Sequence, residues 1–205
     1  MLQGLMHFNK LPFKRAIKNI MSNKIKSLSF RKGLAALRIF LLGMMGSGKS
    51  YWAQRIAEKE NMDWMDLDQE IEKETSLSIK EIFAVYGEEY FREKERDALH
   101  QLSNYKNIII ATGGGTPCFH NNMQWMNEHG ITIFIDEDVN VLIERLKKEK
   151  AHRPLIKDLS DEELHNFLSN KLKERYPFYS QAQYHLKGNN ISDLSFAEIL
   201  KQFHE

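Results

Sequence analysis

The sequence predicts an α/β domain built on a parallel sheet with helices on both faces. Three observations carry this expectation. Apolar strand-like runs alternate with helical patterns along the chain, and the first run leads directly into a glycine-rich phosphate-binding signature. A length of 205 residues with 42% hydrophobic content is enough for one compact domain with its own core and too little for two large ones.

The strand patterns fall at 38–42, 63–67 (weak), 107–111, 131–135 and, poorly, 183–187. Strands separated by helices in this way pair in parallel, and right-handed crossovers bring the phosphate loop and the neighbouring strand ends to one rim, where ligands bind. The helical region 69–102 is longer than a simple crossover needs and reads as a substrate-binding insertion. Residues 147–159 are rich in charge and interrupted by Pro154, the pattern of a mobile lid.

The phosphate signature is Gly43-Met44-Met45-Gly46-Ser47-Gly48-Lys49-Ser50, which follows Arg38-Ile39-Phe40-Leu41-Leu42 and precedes a helical pattern from Tyr51. Its glycines let the backbone wrap an anion with N–H groups inward, and the following helix N-terminus adds the positive end of a dipole. Gly43, Gly46, Ser47, Gly48, Lys49, Ser50 and Tyr51 form the expected nucleotide-binding set. Lys49 would reach the β and γ phosphates of ATP or GTP, and the Ser50 hydroxyl would sit on Mg²⁺.

Further constellations accompany the loop. Asp66-Leu67-Asp68 closes the second strand pattern, and alternation along an extended segment would put both carboxylates on one side, one for Mg²⁺ through water and one for an acceptor hydroxyl. Asp68 reads equally well as the N-cap of the next helix. Gly113-Gly114-Gly115 ends the third strand and permits close backbone approach to a ligand. Arg92 has Glu95 at i+3 to hold it, Arg153 lies in the lid and Arg175 stands before Tyr176-Pro177; each is a candidate for binding a carboxylate or a transferring phosphate. Phe83 and Phe91 read as packing residues or as the lining of a small-substrate pocket. Cys118, with no base beside it, reads as a packed small residue.

Charge is unevenly spread. The first 38 residues carry nine Lys or Arg and no acid, leaving 20 basic against 28 acidic residues in the rest, a balance of −8. An acidic body has the wrong sign for nucleic acid. The tail is open to three readings: an organelle transit peptide, a membrane-surface helix, or an extension over 1–37 that is disordered or not translated, the simplest because nothing in it supplies chemistry. A single cysteine excludes an internal disulfide and points to a reducing cytoplasm, and no apolar run is long enough to span a membrane.

In order along the chain, these pieces resemble the shikimate kinase family, one of the nucleoside monophosphate kinase-like P-loop proteins. The resemblance covers about 38–204 and rests on the phosphate loop, Asp66-x-Asp68, Ser78-Ile79-Lys80-Glu81-Ile82-Phe83, Gly87-Glu88-x-x-Phe91-Arg92-x-x-Glu95, the triple glycine, Arg153-Pro154-Leu155 and Arg175-Tyr176-Pro177-x-Tyr179. It implies a three-layer fold with strand order 2-3-1-4-5, two substrates, ATP and shikimate, and transfer of phosphate to the shikimate 3-hydroxyl by a monomer with Mg²⁺. By the same resemblance, Lys49 serves the phosphates, Ser50 and Asp66 (through water) the metal, and Asp68 is the candidate base. Arg92, Arg175 and Gly113, Gly114 and Gly115 bind the acceptor, and Arg153 closes over the phosphates. Two features depart from the family: Ser76 stands near a usual glycine, and the lid offers no clear adenine-stacking residue.

Two other readings share part of this pattern. A gluconate or nucleoside monophosphate kinase on the same scaffold would keep the loop but lack the Arg92, triple-glycine and Arg175 set. A regulatory nucleotide-binding protein would have no need of Lys49, Ser50, Asp66, Asp68 and Arg153 together.

Overall fold

In the structure, a computed structural model that describes residues 37–149 and 156–203, five strands pair in parallel in the order β2-β3-β1-β4-β5. They are β1 (Arg38–Leu42), β2 (Asp63–Asp66), β3 (Ile108–Ala111), β4 (Ile131–Asp136) and β5 (Tyr184–Lys187). Strand β1 is central, with Ile39 opposite Ile109 of β3 and Ile131 of β4. The helices are α1 (Lys49–Glu60), α2 (Leu67–Thr75), α3 (Ile79–Gln101), α4 (Asn122–His129), α5 (Val139–Glu149), α6 (Asp161–Tyr179) and α7 (Asp193–Lys201).

Period-two alternation divides the sheet into two apolar faces. Ile39, Leu41, Ile109, Ile131 and Ile133 face α1 and α7, meeting Ala53, Ile56, Phe196 and Ile199. Phe40, Leu42, Ile108, Ile110 and Phe134 belong to the core shared with α2 to α6, meeting Ile71, Leu99, Met126, Leu146 and Leu168. Burying a side chain of this size contributes about 1.5–3 kcal/mol over leaving it in water, so the three layers cohere through many such residues.

Local signals set the helix limits. Ser78 and Ser160 open α3 and α6 with capping boxes completed by Glu81 and Glu163. Gly87, at φ 81°, breaks α3 into two helical stretches and turns the second, which carries Phe91, Arg92 and Glu95, against the core. Ser76 caps the end of α2 in the left-handed region at φ 57°, a conformation that a glycine takes without strain.

Three expected boundaries move. Strand β2 stops at Asp66 rather than 67, because the chain turns helical at Leu67 and Asp66 caps that helix. The insertion expected at 69–102 accordingly starts within α2. The loop expected from 147 starts later, since α5 runs through Glu149 and Lys147 is bridged to Glu144 and Asp161; at its far end Ile156 is fully buried. Arg153, Pro154, Leu155 and the basic extension over 1–36 lie outside the described residues.

Candidate active site

The loop between β1 and α1 is shaped for an anion. Gly43, Gly46 and Gly48 have φ of 144°, 81° and 90°, values that L side chains rarely adopt. Gly48 is the N-cap of α1, and that helix begins with no side-chain cap and no acidic residue in its first turn, so the positive end of its dipole faces the loop. Lys49 is buried and its Nζ donates to the carbonyls of Gly43 and Met44, both at 2.9 Å. Ser47 is buried in the loop, and Tyr51 is exposed on the first turn of α1.

Ser50 donates through Oγ to Asp66 Oδ2 at 2.5 Å, joining α1 to the end of β2. The other Asp66 oxygen accepts from the backbone N–H groups of Asp68 and Gln69. The expected arrangement of both carboxylates along one extended segment is therefore incorrect: Asp66 ends the strand and caps α2, while Asp68 lies in the first turn of that helix. Asp66, not Asp68, is the cap. Burial pushes the Asp68 carboxyl up to about 7, with the Glu95 and Asp66 charges adding to the rise and Lys49 and Arg92 opposing it.

The triple glycine follows β3 and brings the remaining groups together. A Cβ on Gly113 would stand 2.7 Å from both Asp68 Oδ1 and Glu95 Oε1; one on Gly114 would stand 2.9 Å from Arg175 Nη1; one on Gly115 would stand 2.6 Å from Arg92 Nη1. Each glycine thus makes room for a charged side chain. The same turn abuts the phosphate loop, with a Cβ on Gly114 only 3.6 Å from the Gly43 carbonyl and 3.7 Å from Met45 N.

Arg92 is held as its spacing predicts. Its Nη1 donates to Glu95 Oε2 at 2.9 Å, and both side chains are almost wholly buried. Thr116 Oγ1 donates to the other Glu95 oxygen at 2.6 Å. Arg92 Nε and Nη2 donate to Glu88 Oε1 at 3.2 and 3.0 Å. Phe83 packs on Phe91 at a centroid separation of 4.8 Å beside this pair. Arg175 and Tyr179, one helical turn apart, both point to Met44 Sδ, and Tyr179 also donates to the Gly114 carbonyl.

Several neighbours were given no role from the sequence, though Glu88 and Tyr179 stand in the motifs quoted above. Glu88 and Tyr179 stand four residues from Arg92 and Arg175, a spacing that could have found them. Thr116 had only its place after the glycines to mark it. Arg145 of α5, which donates to the Gly46 carbonyl at 3.2 Å and to Glu137 at 2.7 Å, looks like any surface arginine of an amphipathic helix. Cys118 is partly buried, and burial pushes its thiol up to about 11, so it is protonated and not nucleophilic at neutral pH.

A parallel α/β sheet, an uncapped phosphate loop on its central strand and a cluster of acid and arginine side chains at the same rim define a P-loop small-molecule kinase. The shikimate kinase family model matches residues 45–204. The chain is 41% identical to a shikimate kinase of Phocaeicola vulgatus over 156 residues, 76% of this chain and 89% of the relative. A crystal structure of shikimate kinase from Bacteroides thetaiotaomicron superposes with a TM-score of 0.74 at 38% identity, covering 82% of this chain and 96% of that one. The Acinetobacter baumannii enzyme in complex with shikimate superposes at 0.72 with 31% identity, covering 82% and 93%. This chain belongs to the shikimate kinase family.

Proposed function

We infer that this protein transfers the γ-phosphoryl group of ATP to the 3-hydroxyl of shikimate, releasing ADP and shikimate 3-phosphate on the route to chorismate and the aromatic amino acids. The observation that carries this reading is the glycine turn: Asp68, Arg175 and Arg92 crowd onto Gly113, Gly114 and Gly115 in succession, next to the phosphate loop. A hydroxylated carboxylic acid laid along this turn meets a base at one end and guanidinium groups at the other.

The chemistry asks mainly for positioning and charge stabilisation. The acceptor oxygen attacks the γ-phosphorus, its proton passes to Asp68, and ADP leaves. A carboxyl poised near neutrality is suited to take that proton. Lys49 stabilises the phosphate charge as it redistributes, and Arg92 and Arg175 hold the acceptor carboxylate, with Glu95 orienting Arg92. Backbone groups of the glycine turn complete the acceptor site. Arg153 is assigned to the transferring phosphate by its place in the Arg153-Pro154-Leu155 motif.

Ser50 and Asp66 present hard oxygen ligands within hydrogen-bonding distance of each other, a donor set that fits magnesium; these two residues would hold the ion, Asp66 through water. When bound, that ion would neutralise phosphate charge. Among the described residues no helix is long and apolar enough to cross a membrane. We place the enzyme in the cytoplasm as a monomer; the catalytic domain begins one residue earlier than the expected 38, because Leu37 is buried in the core and its carbonyl accepts from Ile108 N–H.

A coupled ADP-release assay with shikimate, gluconate and AMP as alternative acceptors tests the function. ADP release that depends on shikimate and not on the other two is expected; preference for either of the others refutes the assignment.

A further inference from the structure

Arg92 has a second kind of support, from the segment just past the glycine turn. The Phe119 ring lies against its guanidinium, with Cζ 4.1 Å from the ring centroid, closer than the 5.0 Å to its sequence neighbour Phe91. Phe119 is more than one-third exposed, so core packing alone does not account for an aromatic residue there. Its position is nonetheless tightly specified. It follows the short 3₁₀ turn Thr116–Cys118, which contains Pro117, and precedes His120 and Asn121, two consecutive non-glycine residues in the left-handed region at φ 50° and 57°. The buried Asn122 pins both ends of this bend, donating from its backbone to the Phe119 carbonyl at 2.9 Å and from its side chain to the Thr116 carbonyl at 3.0 Å. A costly backbone shape is kept where it sets a ring on a guanidinium.

We propose that Phe119 is a positioning residue for acceptor recognition: by covering one face of the Arg92 guanidinium it fixes the plane in which that group can meet the substrate carboxylate. Hydrogen bonds to Glu95 and Glu88 tie down nitrogen atoms within the guanidinium plane, and the ring resists tilting out of it. Bidentate recognition of a carboxylate requires the two planes to coincide, so loss of the ring weakens carboxylate binding without touching the phosphates. The proposal rests on the shikimate reading given above.

The test uses the full chain and compares Phe119→Leu, which keeps apolar bulk without an aromatic face, with Phe119→Tyr, which keeps the face. The Leu variant should raise the KM for shikimate about three- to tenfold while the KM for ATP and kcat move less than twofold; the Tyr variant should restore the parental KM. With the neutral amide of shikimate as acceptor, parent and Leu variant should be equally poor. A parental shikimate KM in the Leu variant overturns the proposal. So does a Tyr variant as impaired as Leu, or an equal loss toward ATP and shikimate accompanied by a lowered thermal midpoint. A parent inert toward shikimate overturns both this proposal and the function on which it rests, whereas an active parent with any of those variant results overturns this one alone.

Discussion

Asp68 and Glu95 converge on Gly113 from different helices, each with a carboxylate oxygen 2.7 Å from the point where a Cβ of that residue would stand. Glu95 is committed to Arg92 and Thr116, so its charge acts on Asp68, adding to the burial that raises that carboxyl to about 7. The acid limb of kcat/KM should therefore lie near pH 7, with activity falling as Asp68 is protonated. Glu95→Gln removes the like charge and should move that limb to lower pH, measured in a pH profile at saturating ATP. The stability sign is opposite to that of an ordinary ion-paired acid: the folded pKa exceeds the unfolded one, so protonated Asp68 favours the fold and its contribution is lost as pH rises from about 4 to about 7. Asp68→Asn should flatten that part of the thermal-midpoint profile.

Lys49→Ala should reduce kcat by about 10²–10³-fold, the scale for loss of a group that stabilises transition-state charge. The folded protein also loses two Nζ bonds to the loop carbonyls of Gly43 and Met44, so ATP affinity should fall as well. Circular dichroism should remain that of the parent, since the core residues on both faces of the sheet are untouched. Parental turnover in a folded variant would refute the nucleotide-site assignment.

Acceptor choice should depend on the guanidinium shape of Arg92 as well as its charge. Arg92→Lys loses bidentate recognition and should weaken shikimate binding by about 1.5–3 kcal/mol, roughly ten- to a hundredfold in KM, with little change for ATP. Gly115→Ala should reproduce this phenotype from the other side, because a methyl group there would press on Arg92 Nη1, Nη2 and Cζ at 2.6, 2.8 and 2.9 Å. Gly115 has φ −94°, so alanine fits its backbone and the effect should appear in acceptor KM more than in stability. Arg175 variants should affect both substrates, since that side chain touches Met44 of the phosphate loop and crowds Gly114.

Ser76→Gly should stabilise the protein by about 0.5–1 kcal/mol, relieving the left-handed cap of α2, and raise the thermal midpoint by roughly 1–4 °C. Activity should be unchanged because Ser76 touches none of the groups at the glycine turn.

A chain beginning at Leu34 should keep parental turnover and thermal midpoint, because every residue assigned a role lies beyond that point. A large loss of either would show that the basic extension contributes to the fold or the site.

The central strands were legible because a strand buried on both faces reads as an unbroken apolar run, as Ile108-Ile109-Ile110-Ala111 does. Strand β5 was faint for the converse reason: it pairs only with β4, and Leu186 is its only buried residue. The phosphate loop and the Arg92–Glu95 pair are local in sequence and could be read directly. The Asp66-x-Asp68 geometry was misread because alternation applies only while the chain is extended, and here it turns into a helix between the two acids. What remained hidden was made across the chain: Thr116 reaches Glu95 over 21 residues and Arg145 reaches Gly46 over 99, and no periodicity records such encounters.

The bare glycine turn also bears on drug resistance. An inhibitor lying along 113–115, the place proposed for the acceptor, would face a wall that the target cannot remodel cheaply. Any side chain added there to dislodge the inhibitor would first strike Asp68 and Glu95, Arg175 or Arg92, and so disable the enzyme it was selected to protect. Escape mutations should therefore collect away from the turn, at positions whose side chains touch none of these four charged groups.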